Sequence, residues 1–440
     1  MKIGMVSLGC AKNQVDAEIM LGQIKNRNHE IVVDPDEAEV IVVNTCAFIE
    51  SAREEAINAI LEMASKKTTG SLKYLIVTGC LAQRHAEDIK KYIPEVDGII
   101  GVGGFDKICD CIDELENKEK FIYNKPTQQL DYLNSTRVLT TPAGVAYLKI
   151  AEGCDNRCAY CAIPSIRGPF RSRPLEDLLR EAESLVEMGI KEIILVAQDS
   201  TRYGLDLYGK PKLSELLVEL DKIEKLKLVR VMYLYPDEIT AELIDVMKKC
   251  EKVAKYVDLP LQHISDKILK AMNRRGSSTD IRTIIREFRE AIPEVVIRTS
   301  LIVGFPGETR KEFDELCDFV KEMEFDRVGV FAYSKEEGTK AASMPNQVGK
   351  KEKTARVNKL MEIQRDISYK NNLKRVGKTY DAIVEGVADD GIFYYGRTYA
   401  EAPEIDGYVY FTSPEPLEFG EVEKVKILVA DNYDLTGEVV

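Results

Sequence analysis

The chain has no run of roughly 18 consecutive apolar residues, the length a membrane-spanning helix needs, so no span is expected. Its first residues, from Met1 to Gly9, hold too short an apolar core for a secretory signal and run on into a strand-like pattern. The expected location is therefore the cytoplasm. Positive charge is in short supply: 61 Lys and Arg stand against 74 Asp and Glu, a net of -13. That balance argues against a surface that clings to nucleic acid throughout and leaves such a role only to a local basic patch. Histidine is scarce, with only His29, His85 and His263, and there is no long internal repeat or low-complexity tract. What remains is a 440-residue chain, enough for two or three domains at about 150 residues each. Its 45% apolar and 8% aromatic content can build real cores and excludes wholesale disorder.

Ten cysteines stand out against this background. In a reducing compartment grouped thiols hold metal or do redox chemistry more often than they form disulfides. Three apolar runs, over 3–8, 40–43 and 74–77, lead into Cys10, Cys46 and Cys80, and each is followed by a helical pattern, over 16–25, 50–64 and 84–92. The order is a βαβαβ unit with a parallel sheet. Ligands of such sheets sit beyond the carboxyl ends of the strands, so these three cysteines are expected to converge at one sheet edge.

After residue 97 the order weakens, and 124–142 is polar without a sustained period. The expected division is an N-terminal domain over 1–125, a linker over 126–142, a central domain over 143–375 and a C-terminal domain over 376–440. In the central domain, strand patterns at 146–150, 192–196, 228–233, 256–259, 295–303 and 327–331 alternate with helical ones at 175–188, 239–249, 280–291 and 309–323. Six such repeats predict a partial (β/α)6 parallel barrel with its site at the strand C-terminal ends. Thr309 and Glu312 form a capping box after the Gly304-Phe305-Pro306-Gly307-Glu308 turn. Residues 350–375 read as one long helix with nine basic and three acidic residues. Beyond 376, short alternating runs at 380–385, 392–398, 408–412 and 422–430, punctuated by glycine, predict a small antiparallel β-barrel of the OB type. The fold class is α/β overall.

The most specific motif is Gly153-Cys154-Asp155-Asn156-Arg157-Cys158-Ala159-Tyr160-Cys161, directly after the first strand of the central domain. Its C-x3-C-x2-C spacing offers three thiolates to three irons of a 4Fe-4S cube and leaves the fourth iron open. A structural zinc site is the competing reading, but it needs a fourth protein ligand, and no histidine lies in this loop.

The loop, with Tyr160 as the aromatic before its last cysteine, resembles that of the radical S-adenosylmethionine (SAM) enzymes. The resemblance implies that the open iron chelates SAM, whose reductive cleavage yields a 5'-deoxyadenosyl radical. The likeness extends over almost all of the chain. Gly9-Cys10-Ala11-Lys12-Asn13 with Asp16, Asn44-Thr45-Cys46, Thr78-Gly79-Cys80, Glu152-Gly153-Cys154 running to Ile163-Pro164 and Arg167-Gly168, and the Gly304–Glu308 turn are similar to the radical SAM methylthiotransferases. That family joins an N-terminal cluster domain, a radical SAM barrel and a C-terminal TRAM domain. Membership implies that Cys10, Cys46 and Cys80 hold a second 4Fe-4S cluster beside the one on Cys154, Cys158 and Cys161. It also implies that one SAM donates a methyl group to sulfur and another serves as radical source.

Other residues are less specific. Gln198 and Ser200, with Asp199 between them, follow the second barrel strand, where family members contact SAM; turn capping is the alternative. Tyr160 and Arg298 complete the residues expected near the cofactor, and for Arg298 a structural ion pair is an equal reading. His263 is expected to be a hydrogen-bonded structural histidine or to line the pocket. Cys109 and Cys111 on a predicted helix, with the isolated Cys250 and Cys317, read as ordinary thiols. Gly101-Val102-Gly103-Gly104 lacks the spacing of a dinucleotide fingerprint and reads as a turn. The basic helix that begins at Lys350 reads as a solvated face, with RNA contact as the alternative.

The family divides into enzymes that modify adenosine in transfer RNA and one that modifies an aspartate of a ribosomal protein. From 376 to 440 there are four basic and fourteen acidic residues, a net of -10. An RNA-binding barrel needs the opposite sign, whereas an acidic one suits a basic protein. The Ala197-Gln198-Asp199-Ser200 strand end also resembles that of the ribosomal-protein enzyme more than its transfer-RNA relatives, and this resemblance implies methylthiolation of the β-carbon of an aspartate in small-subunit ribosomal protein S-twelve, free or in the subunit. The resemblance further implies an electron donor such as flavodoxin or ferredoxin, and a sulfur donor. Modification of transfer RNA is the alternative; an iron-sulfur carrier without turnover is the non-enzymatic one.

Overall fold

The computed structural model describes residues 1–117, 120–126 and 130–440. It divides into two compact units. The first holds Met1–Thr140, Ala151–Arg173 and Ser334–Ala342; the second holds Thr141–Ile150, Pro174–Tyr333 and Ser343–Val440.

In the first unit, β1 (Lys2–Ser7), β2 (Glu30–Val32), β3 (Val40–Thr45), β4 (Tyr74–Gly79), β5 (Gly98–Ile100) and β6 (Phe121–Tyr123) form one parallel sheet in the order β2-β1-β3-β4-β5-β6. Every residue of β3 is buried, as expected of a central parallel strand covered on both faces. The predicted βαβαβ core is present, and the sheet extends beyond it through β2, β5 and β6, each only three residues long. The glycine run at 101–104 is the turn between β5 and the helix Ile108–Glu116, which carries Cys109 and Cys111.

The helix Ala11–Asn26 buries polar residues as well as apolar ones, Asp16 and Glu18 among them. The reason is a second cover: the chain over 130–140 lies along it. Glu18 accepts from Arg137 at 2.6 Å and from the Thr140 N–H at 2.8 Å, while its backbone carbonyl accepts from the Val138 N–H. Of the stretch 126–142, residues 127–129 lie outside the described residues.

The second unit begins with β7 (Val145–Lys149), followed by β8 (Glu192–Val196), β9 (Leu228–Val231), β10 (Tyr256–Gln262), β11 (Val296–Val303) and β12 (Arg327–Ala332). They form two parallel three-stranded sheets, β9-β8-β7 and β10-β11-β12. The seam between them is bridged where the Leu234 N–H donates to the Asp258 carbonyl at 2.9 Å and the Tyr233 N–H to the Asp258 carboxylate at 3.0 Å. Intervening helices include Leu175–Glu187, Ala241–Lys249, Ser278–Ala291 and Arg310–Met323. The last opens on the expected capping box, with the Thr309 N–H donating to Glu312 at 2.8 Å. The long helix spans Lys350–Leu373 and buries Arg356, Leu360, Gln364 and Ile367 against its own unit, leaving Lys350, Lys351, Lys359, Arg365 and Lys370 exposed.

The chain ends in a closed barrel of β13 (Thr379–Val387), β14 (Tyr394–Arg397), β15 (Val409–Thr412), β16 (Val422–Ala430) and β17 (Leu435–Val439), in the order β13-β14-β15-β17-β16. Strand β17 has no counterpart among the sequence patterns. It pairs parallel to β15, so closure is not purely antiparallel. The barrel's 397–406 segment docks on the first residues of β8, β10 and β12 and on Arg230 of β9. Glu192 meets Arg397 at 2.9 Å, Arg230 donates to the Tyr399 carbonyl at 2.7 Å, the Tyr256 hydroxyl donates to Asp406 at 2.6 Å and Arg327 meets Glu401 at 3.1 Å. Glu192, Arg327, Arg397 and Glu401 are buried charges that hold only as pairs. The barrel therefore sits at the N-terminal ends of the strands, opposite the ends where a ligand site is expected.

Candidate functional site

Cys10, Cys46 and Cys80 each stand just past the end of a parallel strand, β1, β3 and β4 respectively. Two of the strand exits need glycine. Gly9 has φ +99°, and a Cβ there would come within 2.7 Å of the Cys46 Cβ; Gly79 has φ +94°, and a Cβ would sit 2.5 Å from the Thr45 carbonyl. These left-handed turns let the chain swing from strand to helix while the three thiol-bearing segments stay packed together.

One amide joins them. Asn13, fully buried, donates from Nδ2 to the Leu8 carbonyl at 3.0 Å and to the Thr45 carbonyl at 2.9 Å, the residues two before Cys10 and one before Cys46. Its Oδ1 accepts from Arg167 at 2.5 Å and lies 3.8 Å from the Cys80 Sγ. Burial pushes the Cys80 thiol up to about 12 against the pull of Arg167, and it raises Cys46 with help from the neighbouring Cys10. At Cys10 desolvation acts the same way, but Lys12, Arg167 and the N–H groups of Asn13 and Lys12 outweigh it, and the thiol is lowered.

Arg167 is the residue by which the second cysteine group is tied to the first. The loop carrying Cys154, Cys158 and Cys161 is closed at its base by the paired strands Ala151–Glu152 and Arg171–Ser172. From Cys161 it runs into the short helix Ile163–Arg167, whose first N–H donates to the Cys161 Sγ at 3.4 Å. The Arg167 guanidinium, 1% exposed, meets Glu152 at 2.7 Å and Asp16 at 3.2 Å as well as Asn13. Burial opposes its charge, yet Glu152, Cys80, Asp16 and Cys10 together hold it firmly protonated. A third segment also reaches the loop: the Ala341 N–H donates to the Ala159 carbonyl at 2.7 Å. Nearby, Glu336 takes both Arg53 at 2.5 Å and Arg84 at 3.0 Å. Cys154 is buried, while Cys158, Cys161 and Tyr160 are partly exposed.

Both cysteine groups thus belong to one compact unit. Among the described residues no three Cys, His, Asp or Glu side chains converge on a single-ion site. A cube that spreads its thiolates over three different irons does not ask for that convergence. The donor set fits such a cube: thiols alone, at strand and loop ends, with the fixed buried Arg167 cation pulling Cys10, Cys46 and Cys80 toward deprotonation.

Gln198, Ser200, His263 and Arg298 lie in the second unit. Gln198, just past the end of β8, has both side-chain amide atoms shielded from solvent and unpartnered within the protein. The Ser200 hydroxyl instead donates to the Met232 carbonyl at 2.6 Å, and Asp199 accepts from the Thr201 hydroxyl. Arg298 is 2.7 Å from the buried Asp258, the ion-pair arrangement. His263 is fully buried and its Nδ1 accepts from the Ser265 N–H at 3.0 Å, the structural arrangement. Cys109, Cys111, Cys250 and Cys317 are buried core thiols. Asn13, Asp16, Glu152 and Arg167 stand in the sequence motifs without an assigned role. Their signal was an amide and charges at short spacing from cysteines, whose mutual pairing emerges only in three dimensions.

The family models agree with this arrangement. The radical SAM superfamily matches residues 148–320, an uncharacterized protein family designated UPF0004 matches 2–101, and the TRAM domain matches 376–440. Among solved structures, the radical S-adenosylmethionine methyltransferase TsrM from Kitasatospora setae, with cobalamin and a [4Fe-4S] cluster bound, covers 75% of this chain and 74% of its own at 14% identity and a TM-score of 0.54. That is a likeness of fold. Among curated proteins, the ribosomal protein uS12 methylthiotransferase RimO of Acetivibrio thermocellus is 56% identical over all of this chain and 98% of its own length. The Clostridioides difficile protein of the same name is 49% identical over all of this chain and 99% of its own length. With two three-cysteine groups on one unit, a parallel half-barrel pair and full-length identity at this level, the chain belongs to the radical SAM methylthiotransferases of the RimO family.

Proposed function

We propose that this chain replaces a hydrogen on the β-carbon of an aspartate in small-subunit ribosomal protein uS12, the S-twelve protein, with a methylthio group. The reading assigns Cys154, Cys158 and Cys161 to one 4Fe-4S cluster and Cys10, Cys46 and Cys80 to another. When bound, these clusters and SAM supply the one-electron and methyl chemistry. The protein's own part is to hold both thiol groups in one frame. The observation that carries the reading is the Asn13–Arg167–Glu152 network, which joins the two cysteine groups through buried hydrogen bonds and ion pairs.

Gln198 is the residue best suited to a SAM contact, because a buried amide left without partners costs free energy until a ligand satisfies it. Ser200 is spent on the fold, so it adds little to SAM binding. Tyr160 lies within the cysteine loop, directly before Cys161, and Arg298 shapes the barrel through Asp258.

Charge supports a basic protein as partner. In the C-terminal barrel the buried Glu385 and Glu401 are consumed by Arg397 and by Arg327 with Arg375. Asp381, Asp389, Asp390, Glu404, Glu415, Glu418, Glu421, Asp431 and Glu438 remain exposed, against exposed Lys378, Lys424 and Lys426. The surface that solvent sees is therefore acidic, which repels phosphates and attracts a basic chain. This surface is suited to recruiting a basic partner. An electron donor such as flavodoxin or ferredoxin and a donor of sulfur complete the reading. The test is anaerobic incubation of the reconstituted protein with uS12, SAM, sulfide and reductant. Mass spectrometry should find the methylthio group on one aspartate of uS12, and a methylthiolated adenosine in transfer RNA instead would replace this reading.

A further inference from the structure

We propose that Asn13 is the positioning residue of the N-terminal thiol site: its amide sets Cys10 in register with Cys46 and faces Cys80, and Arg167 locks that amide in orientation. The inference rests on the reading of these three thiols as a cluster site, and it goes beyond it by assigning the register to a residue that is not a ligand.

The geometry leaves little freedom. Strands β3 and β4 pair up to Thr45 with Gly79, directly before Cys46 and Cys80, whereas β1 and β3 pair only up to Ser7 with Asn44 and one further rung from the Leu8 N–H to the Asn44 carbonyl at 2.9 Å. Cys10 therefore stands two residues beyond the last backbone rung to β3. Asn13 extends the pairing across that gap. One amide nitrogen donates to the carbonyls of Leu8 and Thr45, bridging the two chains two residues before one cysteine and one before the other. In return, the Asn44 Nδ2 donates to the Asn13 carbonyl at 2.7 Å, closing a reciprocal amide pair between the first helix and the end of β3. The Oδ1 faces the third thiol, Cys80, at 3.8 Å.

Such an amide has two orientations that differ by exchanging nitrogen and oxygen, and only one donates to both carbonyls. Arg167 decides between them, since a guanidinium has donors and no acceptor and therefore demands the oxygen. Asp16 and Glu152 fix the guanidinium in turn. The chain of cause runs from Glu152, next to the Gly153-Cys154 step, through Arg167 and Asn13 to the three strand ends. Carboxylate in place of amide keeps the size and the oxygen toward Arg167 but turns the shared donor into an acceptor facing two carbonyls.

The experiment compares the reconstituted full-length protein with N13D, reading iron and sulfide per chain, apoprotein melting, and 5'-deoxyadenosine formed from SAM without uS12. A loss of about half the iron, with deoxyadenosine formation within about twofold of the parent and a folded apoprotein, is expected, because only one of two four-iron sites is disturbed. Full iron content in a folded N13D overturns the proposal. If N13D does not fold, R167K decides: it keeps a charge beside Asp16 and Glu152 but lacks the planar fork. Selective loss of iron from the N-terminal site, again with deoxyadenosine retained, supports the proposal, and full retention in R167K overturns it. A parent protein that binds iron at one site only would overturn the two-cluster reading itself. A parent with two sites that fails to modify uS12 would overturn the substrate and leave Asn13's role standing.

Discussion

Arg167 Nη2 stands 2.5 Å from Asn13 Oδ1, and through this contact the helix that follows the C-x3-C-x2-C loop holds the strand ends that carry the other three cysteines. The guanidinium is at the same time the counter-charge of two buried carboxylates, Asp16 and Glu152.

Removing it should be costly. In R167A Asp16 and Glu152 both lose the Arg167 guanidinium inside the protein, and breaking a buried pair from one side costs about 3–5 kcal/mol. Urea unfolding of the apoprotein, followed on the first unit, should show a loss of that order. A change below about 1 kcal/mol would mean that water or Lys12 replaces the guanidinium.

The two thiol groups should separate by mutation. Replacing Cys154, Cys158 and Cys161 with Ala abolishes 5'-deoxyadenosine formation while iron and sulfide remain at the Cys10, Cys46 and Cys80 site. Iron and sulfide counts that fell to zero in this variant would contradict the two-cluster arrangement.

Gln198 should report SAM directly. Q198L removes two amide atoms that nothing in the protein satisfies, so the apoprotein is not destabilised, while SAM binding weakens by roughly 3–10-fold, the worth of one ordinary hydrogen bond. Equilibrium SAM binding to the cluster-loaded variant, unchanged from the parent, would remove Gln198 from the site.

His263 makes the fold sensitive to acid. Desolvation holds its pKa near 3, below the ordinary 6.5, with Arg356 adding to the depression and Glu312 opposing it. Between those values the unfolded chain binds a proton that the native state refuses, so the contribution of His263 is present above about pH 6.5 and is lost as pH falls. At pH 5 the loss is about 2 kcal/mol, from 1.4 kcal/mol per pH unit below the unfolded value. H263N keeps an acceptor for the Ser265 N–H and cannot titrate, so its stability should fall less steeply from pH 6.5 to 5. Equal slopes for the two proteins would show that His263 does not titrate in this range.

Much of this architecture is legible in the sequence, for identifiable reasons. Strands such as Val40–Thr45 and Glu192–Val196 are short, continuous apolar runs between helical periods, the pattern of buried parallel strands. Strands Gly98–Ile100, Phe121–Tyr123 and Leu435–Val439 are too short or too interrupted for any period to register, and they are ordered by the neighbouring strands they pair with. At the site, the cysteines declare themselves by spacing and by following strand ends. The network behind them does not, because Asn13 and Arg167 are 154 residues apart and only folding shows that they meet. Charge needed the structure as well: the acidity of the C-terminal barrel is evident from composition, but which carboxylates face solvent and which are paired with Arg397, Arg327 and Arg375 is not.

The central claim is that this chain methylthiolates a ribosomal protein. Mass spectrometry of uS12 and of total transfer RNA, from cells with and without the chain, tests it most directly. The account predicts that one uS12 aspartate loses its methylthio group when the chain is absent, with transfer RNA unchanged. Loss of a methylthiolated adenosine with uS12 unaltered would contradict it.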